Sequence, residues 1–134
     1  MKRRLPALLT AFLLPVAAIV TVPSPAYAAT YCYDVQAFAP SGFGSLYAAG
    51  IVNACTQPVT AEIHLREDRH WQPDREVSAD IRPGVTSVFM EAGAICMPTP
   101  FEEHSYFLET RVKVNGSYQQ KVQSFRWTVQ YYCY

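Results

Sequence analysis

The four cysteines of this chain, Cys32, Cys55, Cys96 and Cys133, all follow a leader-like segment, and that order constrains the fold more than anything else in the sequence. Lys2, Arg3 and Arg4 form a basic start, Leu5 to Val22 is an apolar run, and Ala26-Tyr27-Ala28 places small residues where a signal peptidase reads. Residues 1–28 therefore read as a secretory signal peptide cleaved before Ala29. The apolar run of 18 residues touches the lower limit for a membrane span, but Pro6, Pro15, Pro23, Pro25 and the abutting cleavage site predict removal rather than anchoring. Tyr31 before Cys32 is too bulky for a lipidated cysteine. The expectation is a secreted, extracellular protein with no membrane anchor after cleavage.

In that compartment an even number of cysteines in a small domain implies two disulfides. Three pairings are open. Cys32 with Cys55 and Cys96 with Cys133 is preferred, because each closes a loop short enough to join neighbouring strands, while the crossed pairings are not excluded by the sequence. A mature chain of 106 residues (29–134) builds one modest core, so the domain count is one. Its 8 basic and 11 acidic residues give a net charge of −3, and the basic residues are scattered among acids, which argues against nucleic acid as a partner.

Alternation fixes the class. Val59, Ala61, Ile63 and Leu65 alternate with Thr60, Glu62, His64 and Arg66, the period of a half-buried strand. Val77, Ala79 and Ile81 alternate with Ser78, Asp80 and Arg82 in the same way, and Pro83-Gly84 is expected to turn the chain into a strand around Val85 to Met90. Tyr31 to Phe38 and Leu46 to Asn53 read as strands around the turn-rich segment Ala39 to Ser45. Tyr106 to Val114 and the chain after Asn115-Gly116 read as a hairpin. A three-residue connection with Gly116 left-handed is preferred there, because it returns Tyr118 and Val122 to the side of Leu108 and Val112. The apolar parity then passes to Phe125, Trp127, Val129 and Tyr131, which places a bulge near Gln123-Ser124. No segment of the mature chain carries a helical period. The expected fold is all-β: a single antiparallel β-sandwich of about seven or eight strands, immunoglobulin-like or a small barrel, with two disulfides.

Catalytic constellations are wanting. Pro40-Ser41-Gly42-Phe43-Gly44-Ser45 lacks the spacing of a nucleophile elbow, and oxidised cysteines cannot act as nucleophiles. His64, His70 and His104 with Glu102 or Glu103 show no ligand spacing, so no metal and no cofactor is expected. Glu102-Glu103 and Glu67-Asp68 are adjacent in extended chain and point opposite ways, which disfavours paired-acid hydrolysis; a small hydrolase on Glu102, Glu103 or His104 is the weakest reading.

Binding is the better reading. Phe43 between glycines, His70-Trp71 in a polar loop and Phe101 after Pro98 and Pro100 are aromatic side chains in connections, where rigid anchors build interfaces. The alternative for each is folding back over the end of the core. Cys96-Met97-Pro98-Thr99-Pro100-Phe101-Glu102-Glu103-His104 also has the composition of a protease-inhibitor loop, its prolines pre-extending the chain and Cys96 holding one end, with Phe101 a better anchor than Met97. The candidate binding residues are Phe43, His70, Trp71, Met97, Thr99 and Phe101. An extracellular protein partner is expected, engaged by an inhibitor of a secreted hydrolase or by an adaptor of an extracellular assembly. The alternative is a carbohydrate-binding module using Trp71 and tyrosines to stack on polysaccharide.

Asn53-Ala54-Cys55-Thr56-Gln57-Pro58-Val59-Thr60 ahead of an alternating strand, with Pro83-Gly84-Val85-Thr86-Ser87-Val88, resembles parts of the tendamistat-type inhibitors of α-amylase, small two-disulfide β-sandwiches. The resemblance implies that architecture and pairing order. It does not extend to amylase inhibition, because the Trp-Arg-Tyr triplet of those inhibitors is missing between Cys32 and Cys55, and Phe125-Arg126-Trp127 lies in another strand.

Overall fold

The computed structural model describes residues 30–134; the leader and its cleavage site lie outside the described residues. Nine strands follow one another: β1 Cys32–Ala37, β2 Ser45–Cys55, β3 Val59–Asp68, β4 Arg75–Val85, β5 Val88–Pro98, β6 His104–Val114, β7 Ser117–Gln123, β8 Trp127–Val129 and β9 Tyr131–Cys133. They form two antiparallel sheets, β1-β2-β5-β9 and β4-β3-β6-β7, with β8 also paired to β6. The fold is thus the expected all-β sandwich, with one strand more than expected because the last segment divides. Phe125 to Tyr131 is not one strand: β8 stays on β6, and after Gln130 the chain crosses to β5.

The core lies between the sheets. Leu46, Ala48, Val52, Met90 and Ala92 face Ala61, Ile63, Leu65, Tyr106, Leu108 and Val112, all buried, and the period-two pattern of each strand supplies them. Sheet one contributes Ala48 and Ala92 between its larger side chains, and sheet two the bulkier Ile63, Leu65, Tyr106 and Leu108. Gly50 marks the closest approach, since a Cβ there would sit 2.5 Å from Ile63 Cγ2 and 2.6 Å from Thr110 Oγ1. Both disulfides join directly opposed residues, Cys32 with Cys55 across β1 and β2 and Cys96 with Cys133 across β5 and β9, which is the preferred pairing.

Three local expectations are corrected. Pro83-Gly84 does not turn the chain: both residues oppose Thr60 as a bulge near the end of β4, with Gly84 at φ 66°, and the turn is Thr86-Ser87. An edge strand tolerates the proline because its missing N–H has no second neighbour to bond. Between that bulge and another at Val77, β4 runs with inverted parity. Ser78, Asp80 and Arg82 pair with Leu65, Ile63 and Ala61 on the inner side, and Ala79 and Ile81 are exposed.

The hairpin connection is the third. Val114 pairs with Ser117, so the loop is two residues, Asn115 at φ 49° and Gly116 at φ 82°, the signs of a type I′ turn. The one-residue shift occurs higher up, at Gln119, between the pairs Lys113 with Tyr118 and Val112 with Gln120. Val122 is thereby brought opposite Thr110 as expected, whereas Tyr118 stays on the charged side beneath Arg111 and Lys113. The expected irregularity near Gln123-Ser124 is present. Ser124 bonds Leu108 through N–H to O (2.8 Å) and through Leu108 N–H to Oγ (2.9 Å), and the chain resumes pairing at Trp127 with Phe125 exposed instead of buried.

Candidate functional site

The connections segregate by length. The short turns Thr56-Gln57-Pro58, Thr86-Ser87 and Asn115-Gly116 lie at one end, with the Cys32–Cys55 bridge. The longer ones, 38–44, 69–74 and 99–103, lie together at the other, as the pairings Ser45 with Ile95 and Asp68 with Ser105 require. Each long loop carries one aromatic at its tip. Phe43 is 89% exposed, Trp71 94% and Phe101 99%.

Two of these tips are held in left-handed backbone, Trp71 at φ 61° and Phe101 at φ 72°, where a bulky side chain costs about 1–2 kcal/mol. For Phe101 the origin is a turn. Glu102 N–H bonds Thr99 O at 3.1 Å, Pro100 occupies the second position and Phe101 the third, where a type II turn favours glycine. Thr99 N–H in turn bonds Gln130 O at 3.0 Å, so the turn is fastened to the crossing between β8 and β9. Phe43 is placed by Gly42 and Gly44, and the ends of its loop close through the mutual bonds of Ser41 with Tyr47, both 2.9 Å.

Beneath the tips lies a buried polar buttress. Glu67 keeps the inward parity of Ile63 and Leu65, and its side chain is almost fully buried. Arg75 donates to Glu67 Oε2 from Nε (2.9 Å) and Nη2 (2.7 Å), while His104 Nδ1 lies 3.2 Å from Oε1. Arg75 Nη2 also donates to Cys133 O at 2.5 Å, and its guanidinium lies 4.6 Å over the Tyr132 ring. Tyr106 Oη donates to Tyr131 O (3.0 Å) and accepts from Cys133 N–H (2.8 Å). The stems of two long loops and β9 are therefore joined through one carboxylate, one guanidinium and one phenol, with the Cys96–Cys133 bridge alongside. Burial pushes the Glu67 carboxyl up, but the hydrogen bonds and charges of Arg75 and His104 outweigh it and hold the pKa below the ordinary range. Burial raises the Tyr106 phenol, against the bond from Cys133.

Of the six candidate binding residues, the structure gathers five at this end: Phe43, His70, Trp71, Thr99 and Phe101. His70 packs edge-to-face on Trp71, 5.2 Å between centroids, so it braces the indole. Met97 is not a loop residue. It sits in β5 opposite Tyr132, exposed on the outer face of sheet one, and Cys96 and Pro98 are likewise paired to β9, so the connection itself is only 99–103.

The histidines do not converge. His64 lies buried on the outer face of sheet two against Glu76 and Glu62, His70 is in a loop, and His104 is in the buttress with Glu102 Oε2 at 3.6 Å. Among the described residues no group of three His, Cys, Asp or Glu side chains is placed to hold a metal. Glu67 and Asp68 point to opposite sides, the former into the buttress and the latter to Arg126.

Sequence reasoning missed the buttress and an apolar stripe beside it, formed by Tyr47, Ile95, Met97 and Tyr134. The buttress had a signal in the parity of Ala61, Ile63, Leu65 and Glu67. The stripe had one too, since β5 is apolar at Phe89, Ile95 and Met97 as well as at Met90, Ala92 and Ala94. Among the described residues no helix is long and apolar enough to cross a membrane, and two disulfides fit an oxidising compartment. Comparison of the chain with family models, characterised proteins and solved structures found no match.

Proposed function

We propose that the protein is an exported, non-catalytic binding module that grips another protein through the long-loop end of its sandwich. The observation that carries this reading is the pair Trp71 and Phe101, held in costly left-handed backbone yet almost wholly in water. Apart from the edge-to-face contact of Trp71 with His70, neither the backbone nor the side chain gains from that arrangement in the isolated domain, so the compensating contact belongs to a partner. Aromatic side chains have few torsions to freeze, and a base fixed by Glu67, Arg75, Tyr106 and a disulfide lowers the ordering cost of docking further. Export rests on the leader-like residues 1–28 and is compatible with the two bridges.

Within this reading we favour an inhibitor of a secreted hydrolase, with Phe101, presented at the third position of the Thr99–Glu102 turn, as its anchor. The test is capture from culture supernatant by the tagged mature chain, beside a Phe43→Ser, Trp71→Ser, Phe101→Ser variant of unchanged melting temperature. A stoichiometric protein species retained by the wild type and lost by the variant supports the reading, and inhibition of that species separates inhibitor from adaptor. Retention of polysaccharide by the wild type, lost in Trp71→Ala, would replace it with the carbohydrate-binding module.

A further inference from the structure

We propose that the free edge of β5, from Val88 to Ala94, receives an extended segment of a partner protein as an added antiparallel strand, the segment carrying lysine or arginine opposite Glu91. This surface is separate from the loop tips. Cys96 N–H bonds Gly44 O, which makes the even-numbered residues of β5 the ones whose backbone groups point at β2. The odd-numbered residues therefore point at the other edge. There β9 pairs only with Cys96, Met97 and Pro98, and Tyr134 N–H reaches Ile95 O at 2.9 Å. Phe89, Glu91 and Gly93 are left with three N–H and three C=O groups facing outward and no strand among the described residues to meet them.

The other edges are shorter or interrupted. β1 is only six residues long, and at its start the Gln120 side chain bonds both Cys32 N–H and Cys32 O at 2.9 Å. β4 carries Pro83 and two bulges, and β7 is bulged at Gln119 and interrupted after Gln123. β5 has no proline and no bulge along its free stretch.

A second observation points to the same gap. β1 packs on β7, β2 on β6, and β5 on both β3 and β4, so the outer side of β4 extends over the position beyond β5, which β9 fills only at the loop end. Among the described residues no strand beyond β5 covers the inward row Ser78, Asp80 and Arg82 along the rest of β4, and Asp80 pairs with Arg82 at 3.1 Å. One further strand in line with β9 would complete both layers.

The chemistry of the segment follows from its two neighbours. Its inward side chains meet Ser78, Asp80 and Arg82 and are polar. Its outward ones lie beside Phe89 and Gly93 and are apolar, except opposite Glu91, whose carboxylate accepts the Tyr47 hydroxyl at 2.5 Å. A second copy adding its own β5 about a two-fold axis at this position would set Glu91 against Glu91, like charges directly opposed, and the mature chain is acidic overall. A cationic segment from another protein relieves both conflicts.

The probe is a blocked synthetic peptide, Thr-Val-Thr-Lys-Thr-Val-Thr, added to the full mature chain while amide hydrogen exchange is followed by NMR. Exchange at Phe89, Glu91 and Gly93 should slow at least ten-fold, with Met90 and Ala92 unchanged. N-methylation of the two valines and the lysine should abolish the effect, and N-methylation of the two threonines flanking the lysine should not. Glu91→Lys should prefer the peptide with glutamate in place of lysine, reversing the wild-type order. No slowing at millimolar peptide, equal binding of both methylated peptides, or slowing that depends on protein concentration without peptide (a second copy) each overturns the proposal. The triple loop-tip variant should bind the peptide like the wild type, so failure here leaves the loop-end reading standing, and the converse.

Discussion

The two ends of the sandwich are built from the same strands and pinned by one disulfide each, yet they solve opposite problems. At the turn end, connections of two or three residues take the chemistry their geometry demands, with Asn115 and Gly116 supplying positive φ and Cys32–Cys55 buried against the core. At the loop end, five to seven residues separate the strands, Trp71 and Phe101 occupy positive-φ positions as Gly42 and Gly44 do, and an ionic cluster replaces apolar packing. A buried ion pair is a weak route to stability, because desolvation consumes much of its attraction. The contrast teaches that this end is organised for fixed loop position, with stability supplied elsewhere by the core.

Removing the bridges tests the contrast at its largest. In the chain-entropy relation, closing 23 residues contributes about 3.4 kcal/mol and closing 37 about 3.8 kcal/mol, so Cys32→Ala/Cys55→Ala and Cys96→Ala/Cys133→Ala should destabilise about equally in urea titrations. Only the second should lower capture by protein that is still folded; equal loss from both would erase the distinction between the ends.

Glu67→Gln should cost about 3 kcal/mol in the same titration, since it strands Arg75 in a nearly buried site. The wild type should also lose stability in acid. The folded pKa of Glu67 is lowered, so its contribution is complete above the ordinary carboxylate pKa and disappears as pH falls through the lower folded value. Glu109, whose carboxyl burial raises but Gln123 and Arg111 bring down further, adds to the acid loss in both proteins, so the Glu67→Gln curve should be shallower and not flat. Identical slopes would remove Glu67 from the buttress. Tyr106→Phe should cost about 1–2 kcal/mol by releasing Cys133 N–H and Tyr131 O, with hydrogen exchange rising first in β9.

The smallest effect is the sharpest. Trp71→Gly and Phe101→Gly should each raise stability by about 0.5–1 kcal/mol while weakening capture, whereas Asn115→Gly should change neither by a measurable amount. Destabilisation by both aromatic replacements would mean that these side chains serve the fold.

Much of the fold was legible because one period decides so much. Ala61, Ile63 and Leu65 announce an inward face, and Asn115-Gly116 announces a hairpin. What failed was register. The alternation of Val77, Ala79 and Ile81 has the pattern of a core face, but bulges at Val77 and Pro83-Gly84 turn the stretch between them over and leave Ile81 exposed. The shift that returns Val122 inward was anticipated at the turn and lies instead at Gln119, because parity fixes that one residue must be inserted and leaves its place free. Of the site, the loop aromatics were readable from their glycine and proline neighbours. Their convergence on one end required the strand pairings, and the bond between Arg75 and Glu67 required three dimensions.

Measuring stability and capture together on the Phe101→Gly variant decides whether the strained loop-tip aromatics face a partner. The variant should unfold at higher denaturant than the wild type and retain less of the captured species. A variant that is less stable and captures the same amount would contradict a partner-facing role.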